Sequence, residues 1–271
     1  MDNTNAFITL LTPSTTIAGG YKSLLRVDDN TGVGDALVQV TDGDGNNTCL
    51  KLSEDILEIQ GKDTDGNVLL VESVGGTDIF KINSSVPYLQ ALGNYVNTQY
   101  AHFGANATAS SNYADDTHQA LPFNGLGFGS ITHPPEFGTS LDPEATFTTS
   151  NTDNHRASDL VPCLWFVPDN ITIDDIYAFV GSDSVDSDTA TRIHLFQYTF
   201  NSGSTSALTS GSVIAHSTSD TNNAGDEQAY KTTLSKDVTD INAGQVIVAT
   251  FRSDSINGDF SINITCKYHL R

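Results

Sequence analysis

Asp42, Asp44 and Asn46 place side-chain oxygens at alternate positions of one loop, the spacing with which a hard cation such as calcium is held. The EF-hand template then asks for glycine at its sixth position and glutamate at its twelfth. Asn47 and Ser53 stand there instead. Two more acidic loops, Asp63-Thr64-Asp65-Gly66-Asn67 and the group Asp183, Asp186 and Asp188, have the same character. A turn whose carboxylates face water explains each of them without an ion. Asp42, Asp44 and Asn46 therefore stand as calcium candidates beside an expectation of no resident metal and no cofactor.

His102, His118, His133, His155, His194, His216 and His269 show no H-E-x-x-H and no compact ligand spacing. Cys49, Cys163 and Cys266 lie far apart with no C-x-x-C, which excludes a zinc knuckle and points to free thiols. A Cys163–Cys266 bridge stays open. There is no G-x-S-x-G elbow and no Walker loop. Gly125-Leu126-Gly127-Phe128-Gly129 lacks the dinucleotide spacing. Cleaving a polysaccharide takes two carboxylates across a groove. With 33 acidic residues some pair always exists on paper, so their presence decides nothing. Tyr198, Phe200, Tyr230 and Tyr268 have ring faces that stack on sugars, yet in alternating strands half of such residues face a core. No catalytic residue is expected.

The elements that would position these residues are strands. Acidic residues are 27 Asp against 6 Glu, and Met1 is the single methionine. Asp favours turns and caps while Glu and Met favour helix interiors, so good helix formers are scarce and turn formers abound. The chain of 271 residues is long enough for a real core, and an all-β fold is the default. The net charge of −21, with 12 unclustered basic residues, argues against nucleic acid and anionic membranes. No apolar run approaches a spanning helix, so no membrane insertion is expected. The start, Met1 to Asn5, lacks a basic region and does not read as a signal peptide.

Three parts follow in order. Residues 1–86 carry short strand windows at Ser23–Val27, Ala36–Val40, Thr48–Leu52, Ile56–Ile59, Val68–Val71 and Asp78–Ile82. Gly- and Asn-rich turns separate them. Asp-Gly-Asn recurs at 44–46 and 65–67. Such strands bury little per chain, and wrapping three copies around one axis would give them a shared core, which suggests a homotrimer. Residues 87–155 read as a connector. Leu89, Leu92, Val96 and Tyr100 follow a helical period after Pro87, predicting one short helix over Pro87–Phe103. Residues 156–271 hold windows at Leu160–Val167, Ile171–Val180, Arg192–Phe200, Val213–His216, Tyr230–Leu234, Gln245–Phe251 and Phe260–Tyr268. That spacing predicts an antiparallel β-sandwich, jelly-roll or immunoglobulin-like, with Trp165 in its core.

The stretch Leu24-Leu25-Arg26-Val27-Asp28-Asp29-Asn30-Thr31-Gly32-Val33-Gly34, then Val40 to Thr48 and Leu50-Lys51-Leu52-Ser53, resembles the start of fibre-like virion proteins of marine tailed bacteriophages. The C-terminal part is similar in style to their knob or decoration domains. The resemblance implies a homotrimeric, non-enzymatic structural protein. It would sit on the virion, on tail or capsid, be assembled in the host cytoplasm, and have other virion proteins as partners. It leaves two alternatives: a knob that binds a host surface glycan or protein, and a polysaccharide depolymerase. The absence of a repeat shaft or a collagen-like run favours a short fibre or decoration protein.

Overall fold

The computed structural model describes residues 25–27, 33–42, 44–60, 67–83, 89–107, 116–124, 134–139, 157–183, 191–220, 228–254 and 259–271. Every strand pairing among them is antiparallel. The chain divides into two units, residues 1–96 and 97–271.

The first unit holds two small meanders. One runs β1 (Arg26–Val27), β2 (Val38–Thr41), β3 (Asn47–Leu52) and β4 (Leu57–Ile59) in chain order. The other runs β5 (Asn67–Glu72), β6 (Asp78–Asn83), β7 (Leu89–Ala91) and β8 (Asn94–Tyr95). Each of the six strand windows expected before residue 86 overlaps one of these strands. Turn residues fix the hairpins. Gly76 closes the β5–β6 turn at φ 76°, with its N–H on the Ser73 carbonyl at 2.9 Å.

The helix expected over Pro87–Phe103 is not formed. Leu92 and Gly93 both have positive φ, 52° and 76°, between the paired residues Ala91 and Asn94. That is a two-residue hairpin turn, Leu92-Gly93, in which the glycine takes positive φ without strain, and no helix passes through it. The apolar stripe that suggested a helix faces no core, since Leu89, Leu92, Val96 and Tyr100 are all exposed. Beyond the turn the chain becomes β9 (Thr98–Ala107), a strand of the second unit. The span 87–155 is therefore no simple connector: its residues from 97 onward belong to the C-terminal unit.

That unit also contains β10 (Gln119–Ala120), a single helical turn α1 (Ala157–Leu160), a 3-10 turn (Val161–Cys163), β11 (Trp165–Phe166), β12 (Ile171–Asp183), β13 (Thr191–Phe200) and β14 (Leu208–His216). Then come β15 (Gln228–Thr233), β16 (Ser235–Lys236), β17 (Asp240–Ile241), β18 (Gln245–Ser253) and β19 (Asp259–Leu270). Five of the seven C-terminal windows are strands along their length, and Tyr230–Leu234 is strand up to Thr233. The window Leu160–Val167 is half helical turns, with a strand only at Trp165–Phe166, because Pro162 at the start of the 3-10 turn cannot donate to a ladder.

Two sheets form, ordered β9-β19-β12-β15 and β10-β18-β13-β14-β16. Their facing sides share one core. Phe103, Ile173, Ile176, Ile262 and Ile264 come from the first sheet, and Ile193, Leu195, Ile247 and Phe251 from the second. Trp165 lies in this core, stacked on Phe123 with ring centroids 5.8 Å apart. The second sheet is also covered on its far side. Phe196, Tyr198, Val246 and Val248 pack there against Phe137, Leu160 and Cys163. Alternation along β13 and β18 sends these two sets to opposite faces.

Candidate functional site

The loop between β2 and β3 brings Asp42 and Asn46 together, but as a hydrogen-bonded turn. Asp42 Oδ1 accepts from the backbone N–H groups of Asp44 and Asn46 at 3.0 and 2.8 Å. Its Oδ2 accepts from the Asn46 side-chain amide at 2.8 Å. The Asn46 amide bond, aided by the backbone donors, holds the Asp42 carboxyl below its ordinary range. Asn46 thus presents an N–H donor toward the carboxylate, where a calcium site would need its oxygen. Gly43, residues 61–66 and residues 184–190 lie outside the described residues, as do Gly125–Gly129, His133 and His155.

The strongest concentration of titratable groups was not apparent from spacing in the sequence. It lies on the far face of the second sheet. Register pairs His194 on β13 with His216 on β14 and with Thr250 on β18. His118, just before β10, puts its ring edge-on to His194 at 4.8 Å and its Nδ1 3.1 Å from Thr250 Oγ1. His194 and His216 stack at 6.0 Å, and His216 Nδ1 lies 2.7 Å from an Asp237 oxygen. Two residues along, on the same face, Arg192 and Arg252 are direct partners. Arg192 binds Asp220 and Arg252 binds Asp116.

Chemically this cluster is quiet. His118 and His194 are buried, and burial, reinforced by His118, His216 and Arg192, pushes the His194 imidazole down to about 3. It stays neutral across the range in which a general base works. Both arginines are held by carboxylates. The arrangement resembles a buried structural network more than a reacting centre.

Two of the three thiols are equally inert. Cys163 and Cys266 are buried, and burial pushes both up to about 12. All three cysteines are free, so no Cys163–Cys266 bridge is formed. Of the four aromatics singled out for sugars, Tyr198 is fully buried and Tyr268 packs on Trp165 at 5.0 Å. Tyr230 is half-buried and hydrogen-bonded to Gln228, which leaves Phe200 partly exposed.

Two surfaces stand out instead. In the first unit Val40 and Thr41 are the buried residues among those described, while Ile56, Leu57, Val71, Ile79, Leu92 and Val96 are exposed. In the second unit the outer face of β9-β19-β12-β15 is open and carries the exposed rings of Tyr100 and Phe179. No helix among the described residues is long and apolar enough to cross a membrane. The chain matches no protein-family model and no curated protein.

Proposed function

We propose that this chain is a non-enzymatic structural protein of a tailed-bacteriophage particle. It is a homotrimer whose residues 1–96 interlock with their copies and with other virion proteins, while residues 97–271 project as a jelly roll. The observation that carries the reading is how little interior the described residues of the first unit form. A folded unit exposing Ile56, Leu57, Val71, Ile79 and Val96, with one buried apolar residue among those described, needs partner surface to cover it. Three wrapped copies supply that surface.

Strand order supports the jelly-roll reading. Take β9, β10, β12, β13, β14, β15, β18 and β19 as first to eighth. One sheet then runs first, eighth, third, sixth, and the other second, seventh, fourth, fifth. That is the order two nested Greek keys produce, and viral shell and lectin domains share it. The link to a virion is an analogy of fold together with the sequence resemblance, not a property of a site. A second reading, attachment to a host surface glycan, is favoured by the open aromatic face of β9-β19-β12-β15.

Antibody against the purified chain, applied to purified particles of the phage that encodes it, tests the proposal. Labelling of intact particles, with a sedimentation mass three times that of the chain, is the expected result. A stable monomer at micromolar concentration and unlabelled particles would overturn it.

A further inference from the structure

Lys231 and Lys267 stand apart from the other described basic side chains. Lys51 pairs with Glu58, Lys81 with Asp78, Arg192 with Asp220, Arg252 with Asp116 and Arg271 with Asp240. Lys236 donates to the Asp174 carbonyl. Among the described residues Lys231 and Lys267 have no hydrogen-bond or ion-pair partner, in a chain that carries 33 acidic residues. Both lie on the same open face. Lys231 is the register partner of Phe179, and Phe179 is the partner of Asn263. Lys267 is the partner of Tyr100 on one side and Asp175 on the other, and no ion pair joins it to Asp175.

The rest of the face suits a sugar chain. Phe179 and Tyr100 expose 48% and 59% of their surface, far more than a ring kept for packing. The Lys231 ammonium sits 4.8 Å from the Tyr177 ring centroid, which orients it without cancelling its charge. Gly104 is the partner of Asn263, and a Cβ there would stand 2.7 Å from the Ile262 carbonyl oxygen. Close strand approach therefore keeps that position bare. The Asn263 amide lies between this bare position and the Phe179 ring.

We infer that the outer face of β9-β19-β12-β15 binds an acidic polysaccharide, its rings packing on Tyr100, Tyr177 and Phe179 and its carboxylate or sulfate groups meeting Lys231 and Lys267. This rests on the attachment reading above and adds the class of glycan. Charge decides between glycans. The chain as a whole repels polyanions, so two uncommitted ammonium groups beside exposed rings mark the place where one can dock. Strand spacing and rise put the two lysine Cα atoms about 16 Å apart, which calls for an oligomer rather than a single sugar. Asp175 and Asp259 at the ends of the face limit where acidic groups can sit.

Affinity electrophoresis of the full chain through gels containing alginate, chondroitin sulfate or neutral dextran tests this. Alginate or chondroitin sulfate should retard the protein, dextran should not, and added salt should abolish the effect. Lys231→Gln with Lys267→Gln should weaken binding about tenfold, the worth of two exposed ion-pair contacts. Phe179→Ala should weaken it about fivefold, the worth of one ring contact. Lys231 and Phe179 are exposed and Lys267 is partly so, and circular dichroism should be unchanged. Equal retardation by dextran, or none by either polyanion, would overturn the inference. So would variants that change the sedimentation mass and leave retardation intact, because the face would then join copies of the chain. Labelling of particles is independent of these outcomes, so the structural reading stands or falls separately.

Discussion

Arg192 and Arg252 oppose each other directly across β13 and β18, and each is held by its own aspartate, Asp220 and Asp116. Like charges in direct register destabilise a sheet unless each is compensated. Arg252 is 7% exposed, and its Nε and Nη1 are buried without a partner. The pair therefore depends on the two carboxylates.

Asp116→Asn should destabilise the second unit by about 1–2 kcal/mol. That is less than the cost of breaking a fully buried pair, because Asp116 remains half exposed. Urea unfolding at neutral pH measures it. An unchanged midpoint would show that water already compensates Arg252.

Acid should loosen the same face through His194. Its folded value is pushed down to about 3 by burial first and then by His118, His216 and Arg192. The unfolded histidine takes a proton near its ordinary value of about 6.5, so below that pH the unfolded state binds more protons. Stability is fully present above about 6.5 and is lost as pH falls toward 3, by up to about 1.4 kcal/mol per unit from this group. His194→Phe keeps the stack on Phe196 and removes the titration. Urea midpoints from pH 7 to 4.5 should fall less steeply in the variant. Identical slopes would mean that other groups carry the acid response.

Thiol reactivity separates the three cysteines. Cys49 is exposed on β3, whereas Cys163 and Cys266 are buried and pushed up to about 12. The thiolate is the reactive form, so one thiol per native chain should titrate with a disulfide reagent, and three after unfolding. Rapid reaction of a second thiol in native protein would show that one of the buried sites opens.

Much of the strand content was legible because alternation and turn chemistry agree. Leu50 and Leu52 pair with Ile59 and Leu57 on β4, as a short hairpin with polar turns would require. The misreading at Pro87–Phe103 has a physical cause. Leu89, Leu92 and Val96 fit a helical period by spacing alone, but the Leu92-Gly93 turn, which Gly93 favours by accepting positive φ, overrides it. β9 was hidden because Gly104-Ala105-Asn106-Ala107 has low β propensity, and its state is set by ten residues of pairing with β19. The candidate surface was harder still. Whether a lysine is uncommitted depends on what stands opposite in register, and Phe179 and Lys231 are far apart in sequence yet direct neighbours across the sheet.

Strand windows alone place the sandwich in residues 156–271. The structure gives β19 a partner outside that span along ten residues, from Phe260↔Ala107 to His269↔Thr98. Phe103 of β9 is fully buried among Trp165, Ile262 and Ile264. β10 completes the edge of the other sheet, and Ala120 and Phe137 cover its far side. A fragment 156–271 would therefore leave the long edge of β19 unpaired and strip core from both faces of the molecule, which costs several kcal/mol for Phe103 alone. The fragment 97–271 keeps every one of these contacts and should be soluble, with a cooperative thermal transition. The fragment 156–271 should aggregate or show no cooperative transition. Differential scanning calorimetry of the two decides it. A cooperative transition in 156–271 equal to that of 97–271 would show that β9 and β10 are accessories to a sandwich that closes without them.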